Sequence, residues 1–222
     1  MPLLPFVCPD PASIKNIIFD FGGVICDIDP RITRKRLNEF GQLAAGFTPE
    51  MIEKAFDRLV TDLEKGILSP AQFRDSIRSF YQKKLTDEMI DDAWNALVIG
   101  IPASRIRLLE SLRTEYRIFL LSNSNEIHYQ YYLRHLTDQY GYQHLEELFE
   151  KTCFSFRIGM IKPDRKVFEY AVSQFGVVPE ETIFIDDTLE NISAAFTIGL
   201  QGYHLKPGEN IVTLFNHCNQ QR

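Results

Sequence analysis

The chain has 222 residues, of which 45% are hydrophobic and 24% are charged, and its formal net charge is −6 at pH 7. These values are typical of a globular protein, and no segment reaches the roughly 20 consecutive apolar residues that a membrane span requires. The negative net charge disfavours a sequence-independent nucleic-acid binder, which needs basic surface to neutralise phosphates. We therefore expect a soluble protein that binds neither nucleic acid nor a membrane.

The N-terminal residues and the cysteines predict a cytoplasmic protein. Residues 1–9 are apolar, but they lack a basic lead and contain prolines that oppose a signal-peptide helix, so we interpret them as an N-terminal extension. The cysteines Cys8, Cys26, Cys153 and Cys218 show no C-x-x-C spacing, which indicates neither a structural zinc site nor a disulfide framework. We expect free thiols in a reducing compartment.

Short apolar runs that end in polar residues predict the strands of a parallel sheet. The first run covers residues 14–19, is rich in isoleucine and ends at Asp20. Such runs are typical of strands that are buried on both faces. Similar runs follow at residues 117–121, 152–156, 182–185 and 201–205.

Helical periodicity separates the later predicted strands. It extends over residues 103–115, 125–136, 163–175 and 189–198. Strands that alternate with helices predict βαβ units with right-handed crossovers. The expected fold class is therefore α/β, with a doubly wound, Rossmann-like parallel sheet.

Residues 32–98 differ from the rest, because they show helical periodicity and almost no strand signal. Thr48 and Ser69 each precede a proline, and Thr86 precedes two acidic residues, so all three are predicted to cap helices. Helices of this size pack as a small bundle. The bundle interior is expected to hold the aromatic residues Phe56, Phe73, Phe80, Tyr81 and Trp94.

These patterns predict a division of the chain into two parts. Residues 1–29 and 100–222 form the α/β core, and residues 30–99 form an all-helical cap that is inserted after the first strand. Because no long flexible linker interrupts the chain, we expect the bundle to lie directly over the sheet.

Polar side chains follow the carboxyl ends of the predicted strands, where open parallel sheets bind ligands. Asp20 follows the first strand, Ser122 and Asn123 follow the second, and Asp186 and Asp187 follow the fourth. Three neighbouring carboxylates repel one another unless a cation intervenes, and oxygen ligands without His or Cys suit Mg²⁺. Because Mg²⁺ commonly shares its coordination shell with a phosphate, phosphoryl transfer is the expected chemistry.

Each of these residues has a role in that chemistry. Asp20 is expected to attack phosphorus and form an aspartyl-phosphate, which water then hydrolyses. Lys162, in the turn before a predicted helix, would offset the charge of the transferred group. The Ser122 hydroxyl and the backbone N–H groups around Gly22 and Gly23 would hydrogen-bond its oxygens, and Asn123 is expected to bind substrate beside them.

Four motifs, in order along the chain, resemble those of the haloacid dehalogenase-like hydrolase superfamily. They are residues 19–24, 120–123, 162–163 and 184–187. The helical insert is similar to the cap of subclass I. Residues 121–125, 159–163 and 185–192 resemble the branch that contains α-glucose-1-phosphate phosphatases.

The resemblance implies a metal site and a supporting residue. Asp20 and Asp187 would bind Mg²⁺ directly together with the carbonyl of Gly22, and Asp186 would bind it directly or through water. Asn191 would support the acidic loop, which is the loop that carries Asp186 and Asp187. The implied activity is the Mg²⁺-dependent hydrolysis of a small phosphorylated metabolite such as a sugar phosphate.

Gly22 departs from the usual pattern of the superfamily. Most of its phosphatases carry a second aspartate at this position, two residues after the nucleophile, as general acid and base. Such proton transfer typically contributes about 10²–10⁴-fold to the rate. Asp27 and Asp29, in the following loop, are candidates to replace it. The glucose-1-phosphate branch tolerates a similar glycine, so we still expect an active phosphatase.

Other functions stay open at this point. A 2-haloacid dehalogenase also uses an aspartate nucleophile but needs no metal, whereas the Asp186 and Asp187 pair indicates one. A phosphoacceptor signalling domain would carry its acidic pair after the first strand. A non-catalytic phosphate-binding protein is compatible with Gly22.

A basic helix face is predicted from Arg31, Arg34 and Arg36. The alternative interpretation is that these arginines contact a second anionic group of the ligand.

Overall fold

The computed structural model describes residues 13–221, and the side chains of residues 13–216. The predicted N-terminal extension with Cys8, and the side chain of Cys218, lie outside the described residues. Cys26 and Cys153 are buried free thiols, as expected. None of the helices in the described part of the chain combines the length and the apolar character that a bilayer span requires.

Within residues 13–221, seven strands form two sheets. They are β1 (Asn16–Phe19), β2 (Asp27–Ile28), β3 (Val98–Gly100), β4 (Arg117–Ser122), β5 (Lys151–Phe154), β6 (Thr182–Asp186) and β7 (Gln201–His204). The main sheet has the order β5-β4-β1-β6-β7, and all its strand pairs are parallel. The predicted parallel α/β sheet is therefore confirmed.

Helices cover both faces of this sheet. The helices are α1 (Pro30–Asn38), α2 (Pro49–Glu64), α3 (Pro70–Ser79), α4 (Asp87–Asn95), α5 (Ala103–Leu112), α6 (Glu126–Tyr140), α7 (Ser155–Ile158), α8 (Arg165–Phe175), α9 (Leu189–Phe196) and α10 (Ile211–Gln221). Because side chains alternate along a strand, Ile17 and Phe19 pack with α5, α6 and α10, whereas Ile18 packs with α8 and α9. The doubly wound arrangement follows from this alternation.

The strand pair β2 and β3 was not predicted. The two strands are antiparallel and lie where the chain leaves the main sheet for α1 and returns to it from α4. Strands of two and three residues are too short to show the alternation by which a strand is recognised in sequence. The C-terminal helix α10 was also missed.

The starts of three inserted helices are confirmed. The side chains of Thr48, Ser69 and Thr86 each accept a hydrogen bond from a backbone N–H in the first turn of α2, α3 and α4. These bonds satisfy donors that have no partner within the helix. Hydroxyl capping residues are therefore a dependable sequence signal in this segment.

The inserted helices have a hydrophobic core of their own. Phe73, Phe80 and Trp94 are buried in it, as predicted, while Phe56 and Tyr81 are partly buried at its edge. The ring centroids of Phe56 and Trp94 are 5.7 Å apart in an edge-to-face arrangement, which is favourable for aromatic pairs. The segment therefore packs as a unit against the start of α6.

Candidate active site

The carboxyl ends of β1, β4 and β6 lie side by side, because these strands are adjacent and parallel. Asp20 directly follows β1, Ser122 ends β4 and Asp186 ends β6. All three residues are buried. The predicted convergence of strand-end side chains is present in the structure.

Lys162 joins these strand ends. Its Nζ donates hydrogen bonds to Asp20 Oδ1 and Asp186 Oδ2, each at 2.7 Å, and to the carbonyl oxygen of Leu121 at 3.0 Å. The three donors of the ammonium group are thereby satisfied in a side chain that is only 1% exposed. Burial alone would lower the pKa of Lys162, but the attraction of the two carboxylates outweighs it and raises this pKa.

Negative charge exceeds positive charge in this cluster. Asp20, Asp186 and Asp187 each offer a carboxylate oxygen, and these oxygens all lie within 4.8 Å of one another. Burial, with the nearby charge of Asp186, raises the pKa of Asp20 to about 7 despite the opposing charge of Lys162. A divalent cation would offset the excess charge, and a donor set made only of oxygens fits Mg²⁺.

The glycines after Asp20 allow a close approach of the acidic loop. Gly23 has a φ of +76°, and a Cβ placed on it would collide with Asp187 Oδ2. A Cβ on Gly22 would lie 3.0 Å from Ile28 Cδ1. Any side chain at position 23 would therefore displace the Asp187 carboxylate from the cluster.

The acidic loop is held by Asn191 in α9. Its Nδ2 donates to both carboxylate oxygens of Asp186 at 3.0 Å, and the backbone N–H of Thr188 donates to Asp186 Oδ1 at 2.8 Å. The predicted support of this loop by Asn191 is confirmed. Because these bonds fix the carboxylate, they orient it toward Lys162.

Asn123 positions the turn that carries Lys162. The Asn123 Nδ2 donates to the carbonyl oxygen of Lys162 at 2.9 Å, and the Lys162 N–H donates to Asn123 Oδ1 at 2.8 Å. From the sequence, Asn123 was expected to bind substrate. Its hydrogen bonds to the Lys162 backbone were not predicted, because Lys162 lies 39 residues away in the chain. The neighbouring Ser122 Oγ donates weakly to the Asn123 carbonyl at 3.4 Å.

A cavity of about 1090 Å³ lies beside this cluster and against the inserted helices, although Asp20, Lys162 and Asp186 do not themselves line it. Its wall includes Gly22 and Asn123 from the core, and Arg31 and Arg34 from α1. Arg36 does not line it and pairs instead with Glu39. Two of the three arginines of the predicted basic helix face are therefore placed to meet an anionic ligand.

His128 in α6 also lines the cavity. Burial lowers its pKa to about 3, so the imidazole is neutral near pH 7. Its Nε2 is buried and has no hydrogen-bond partner among the described residues. A ligand hydroxyl would satisfy this atom, since a buried polar atom without a partner is costly.

Asp27 and Asp29, the sequence candidates to replace the missing acid and base, are both engaged in other contacts. Asp27 Oδ1 pairs with Arg105 Nη2 at 2.7 Å, and Asp29 caps α1 and binds Arg31. Neither residue lines the cavity. Glu64, at the end of α2, does line the cavity and was not singled out from the sequence.

The fold and the site define a doubly wound α/β protein with a carboxylate and lysine cluster at the carboxyl edge of its sheet. The chain matches the family model of haloacid dehalogenase-like hydrolases over residues 14–199. It therefore belongs to the haloacid dehalogenase-like hydrolase family, and the predicted resemblance is confirmed at this level. The predicted subclass I cap and the glucose-1-phosphate branch stay predictions.

Known proteins similar to this chain include two curated phosphatases. A D-ribitol-5-phosphate phosphatase of Bacteroides thetaiotaomicron is 29% identical over 196 residues, which cover 88% of this chain and 93% of that protein. A sesquiterpene phosphatase of Aspergillus oryzae is 28% identical over 223 residues, with 87% and 90% coverage. A crystal structure of a haloacid dehalogenase family enzyme from B. thetaiotaomicron, in complex with magnesium and inorganic phosphate, superposes with a TM-score of 0.82. It is 35% identical, and the match covers 91% of this chain and all of that one.

Proposed function

We propose that this protein is a Mg²⁺-dependent phosphatase that hydrolyses a small phosphomonoester through a phosphorylated Asp20. The observation that carries the proposal is the buried cluster in which Lys162 bridges Asp20 and Asp186, with Asp187 beside them. The names of the two curated relatives and the magnesium and phosphate bound to the similar crystal structure support it.

The metal would be held by oxygen atoms of the cluster. Asp20, Asp186, Asp187 and the carbonyl of Gly22 would be its protein ligands. When bound, Mg²⁺ supplies positive charge that stabilises the transferring phosphoryl group. Asn191 and Lys162 keep the Asp186 carboxylate in place for this purpose.

The residues of the chain divide the chemical work between them. An oxygen of Asp20 attacks phosphorus, the bond to the leaving oxygen breaks, and water later hydrolyses the aspartyl-phosphate. The Lys162 ammonium group stabilises negative charge on the phosphoryl oxygens, and the Ser122 hydroxyl and the backbone N–H of Gly22 donate hydrogen bonds to them. The backbone N–H of Gly23, also expected from the sequence to do so, donates instead to the carbonyl oxygen of Cys26 at 2.8 Å. Asn123 keeps Lys162 in position through hydrogen bonds to its backbone.

The residues of the cavity wall support a substrate class. Arg31 and Arg34 favour an anionic ligand, and the unpaired His128 Nε2 favours one that carries hydroxyl groups. A phosphorylated sugar or polyol has both features, as does the substrate in the name of the Bacteroides relative. Residues 30–99 would act as the cap that encloses it. The expectation of a cytoplasmic enzyme stays a prediction.

The experiment is a screen of phosphorylated metabolites with and without Mg²⁺. Wild type should release phosphate from at least one sugar or polyol phosphate, and EDTA should abolish this release. Asp20→Asn should lose turnover by about 10⁴-fold or more, because it removes the nucleophile. Asp138→Asn, a matched change of an exposed carboxylate on α6, should retain it.

Three results would contradict the proposal. Turnover that survives Asp20→Asn would reject the nucleophile. Halide release from a 2-haloacid that is insensitive to EDTA would identify a dehalogenase instead. Binding of a phosphomonoester without any turnover in the presence of Mg²⁺ would favour a non-catalytic phosphate-binding protein.

A further inference from the structure

The described side chains of the cluster around Asp20 leave none for proton transfer, because Asp20 is the proposed nucleophile and Asp186 and Asp187 are proposed metal ligands. Hydrolysis of a phosphomonoester requires a proton for the leaving alkoxide and a base for the attacking water. Gly22 has no side chain, and all three N–H donors of the Lys162 ammonium group are hydrogen-bonded. Asp27 and Asp29 are paired with arginines. A proton carrier must therefore come from another part of the cavity wall.

Three carboxylates line the cavity within residues 13–216, and only one of them is shielded from water. The Glu39 side chain is 49% exposed and pairs with Arg36, and Asp57 is exposed. Glu64 is only partly accessible. Burial raises its pKa to about 7, although the positive charge of Lys162 opposes this shift. A carboxyl group with such a pKa can both donate and accept a proton near neutral pH.

The other titratable groups of the wall are poorly matched to proton transfer. Burial leaves His128 neutral, with a pKa of about 3, so it has no proton to donate near pH 7. Burial raises the pKa of the Tyr132 hydroxyl, which is therefore a weak acid. Arg31, Arg34 and Lys35 also line the wall, and their side chains carry hydrogen-bond donors but no acceptor atom.

Glu64 lies two residues before a direct contact between the inserted helices and the core. It is the last residue of α2, and Gly66, two residues later, has a φ of +64°. A Cβ on Gly66 would collide with the carbonyl oxygen of Phe156, so the backbone of this turn lies directly against α7. A Cβ placed on Gly159, which ends α7 three residues before Lys162, would lie 4.0 Å from the Lys65 carbonyl oxygen.

We propose that Glu64 is the general acid and base of the reaction, supplied by the inserted helix α2 in place of the aspartate that Gly22 lacks. The inference rests on the phosphatase function proposed above and assigns the proton-transfer role of the same site. It also gives a reason for the contact between Gly66 and α7, which fixes the end of α2 beside the turn that carries Lys162.

The proposed reaction has two steps, in which the aspartyl-phosphate forms and is then hydrolysed. In the first, Asp20 Oδ forms a bond to phosphorus, the bond from phosphorus to the leaving oxygen breaks, and the protonated Glu64 gives its proton to that oxygen. In the second, the Glu64 carboxylate takes a proton from water as the water oxygen bonds to phosphorus. The bond from phosphorus to Asp20 then breaks, which releases phosphate and restores both carboxyl groups to their starting states.

The test compares Glu64→Gln with wild type on two substrates that differ in their need for a proton. One is the alkyl phosphomonoester that wild type hydrolyses fastest in the screen. The other is p-nitrophenyl phosphate, whose leaving group departs without protonation. Asp62→Asn is the matched control, because Asp62 lies in the same last turn of α2, pairs with Arg58 and does not line the cavity.

Glu64→Gln should lower kcat for the alkyl phosphate by about 10²–10⁴-fold. With p-nitrophenyl phosphate it should give a stoichiometric burst of p-nitrophenol followed by slow turnover, because the phosphorylated Asp20 forms without an acid but needs a base for its hydrolysis. Asp62→Asn should match wild type on both substrates. Binding of inorganic phosphate by Glu64→Gln in the presence of Mg²⁺ should persist, which shows that the site is folded.

Equal small losses on both substrates, without a burst, would overturn the role of Glu64 and leave the phosphatase proposal standing. A loss of phosphate binding together with activity would assign Glu64 a structural role and reject the inference as well. If wild type hydrolyses no phosphomonoester, the proposed function itself fails, and the proton-transfer role falls with it.

Discussion

The two sides of the cavity differ in how firmly their charged groups are held. On the core side, Lys162 and Asp186 are 1% and 0% exposed and have short hydrogen bonds to fixed partners. On the side of the inserted helices, Arg31 and Arg34 are 90% and 67% exposed, and each pairs with a carboxylate that water also reaches. Groups of the first kind are preorganised for one chemistry, whereas groups of the second kind can adapt to different ligands.

This contrast assigns different tasks to the two sides. Changes on the core side should lower kcat for every phosphomonoester, because all of them pass through the same phosphoryl transfer. Changes on the inserted side should depend on the leaving group, since that side contacts the part of the substrate that varies. Glu64 is the exception that we propose, because it is an inserted residue that takes part in the chemistry.

Among the changes that test this difference between the two sides, the largest effect is expected from Lys162→Met. Removal of the ammonium group leaves the Asp20 and Asp186 carboxylates without their shared partner and removes positive charge from the phosphoryl oxygens. We expect kcat to fall by about 10³-fold with every substrate, as measured by steady-state kinetics. Lys166→Met, on the exposed surface of α8, is the matched control. A loss of kcat confined to one substrate would contradict the expectation that changes on the core side affect every phosphomonoester.

His128 lies where the two sides meet, since its ring packs edge-on against Trp94 with a centroid distance of 4.6 Å. Its pKa is about 3 in the folded protein, whereas an imidazole exposed to water in the unfolded chain has the ordinary pKa of 6.5. The unfolded state therefore binds more protons between these values, and the free energy of unfolding falls as the pH decreases below about 6.5. The stability that the neutral folded imidazole contributes is fully present only above this window.

His128→Leu should remove this pH dependence. Between about pH 7 and about pH 4.5, the wild type should lose roughly 2–3 kcal/mol more unfolding free energy than the variant. Urea unfolding at the two pH values measures the difference. Equal losses in the two proteins would show that His128 does not titrate on unfolding, and that the junction of the two sides is more hydrated than its burial indicates.

Sequence reasoning succeeded where a local signal coincides with the final position of a side chain. Asp20 follows an apolar run, and a parallel strand that is buried on both faces delivers its last residue to the carboxyl edge of the sheet. Thr48 and Ser69 capped helices as expected, because a cap depends only on the next three residues. These features do not depend on distant parts of the chain.

The features that were not predicted from the sequence are contacts between distant segments of the chain. The bond between Asn123 and the backbone of Lys162 joins two loops, and the contact of Gly66 with Phe156 joins an inserted helix to the core. Neither contact has a periodic pattern in the sequence. Glu64 was missed for the same reason, since a glutamate at the end of an amphipathic helix is ordinarily a solvated residue until its neighbours across the cavity are known.

A smaller effect is expected from Asn191→Ala. The change removes two hydrogen bonds to Asp186, a residue that we propose as a metal ligand, without touching the ligand itself. The affinity for Mg²⁺ should fall by about 10-fold, as is typical when a supporting residue of a ligand is removed. Titration of activity with Mg²⁺ gives the apparent affinity. Saturating Mg²⁺ should restore most of kcat, and a failure of this rescue would indicate that Asn191 acts on the reaction and not on the metal.

The smallest effect is expected from Arg34→Gln. Arg34 lines the cavity but is 67% exposed and pairs with Glu53 at 3.4 Å, so water and salt screen its charge. We expect KM to rise by about 2–5-fold at low ionic strength with kcat unchanged, because an exposed charge binds substrate and transition state about equally. Arg36→Gln, which changes an arginine outside the cavity, is the control. The rise in KM should shrink when salt is added. A fall in kcat comparable to that of Lys162→Met would mean that the inserted side is as firmly organised around the phosphate as the core side, and the contrast between them would not hold.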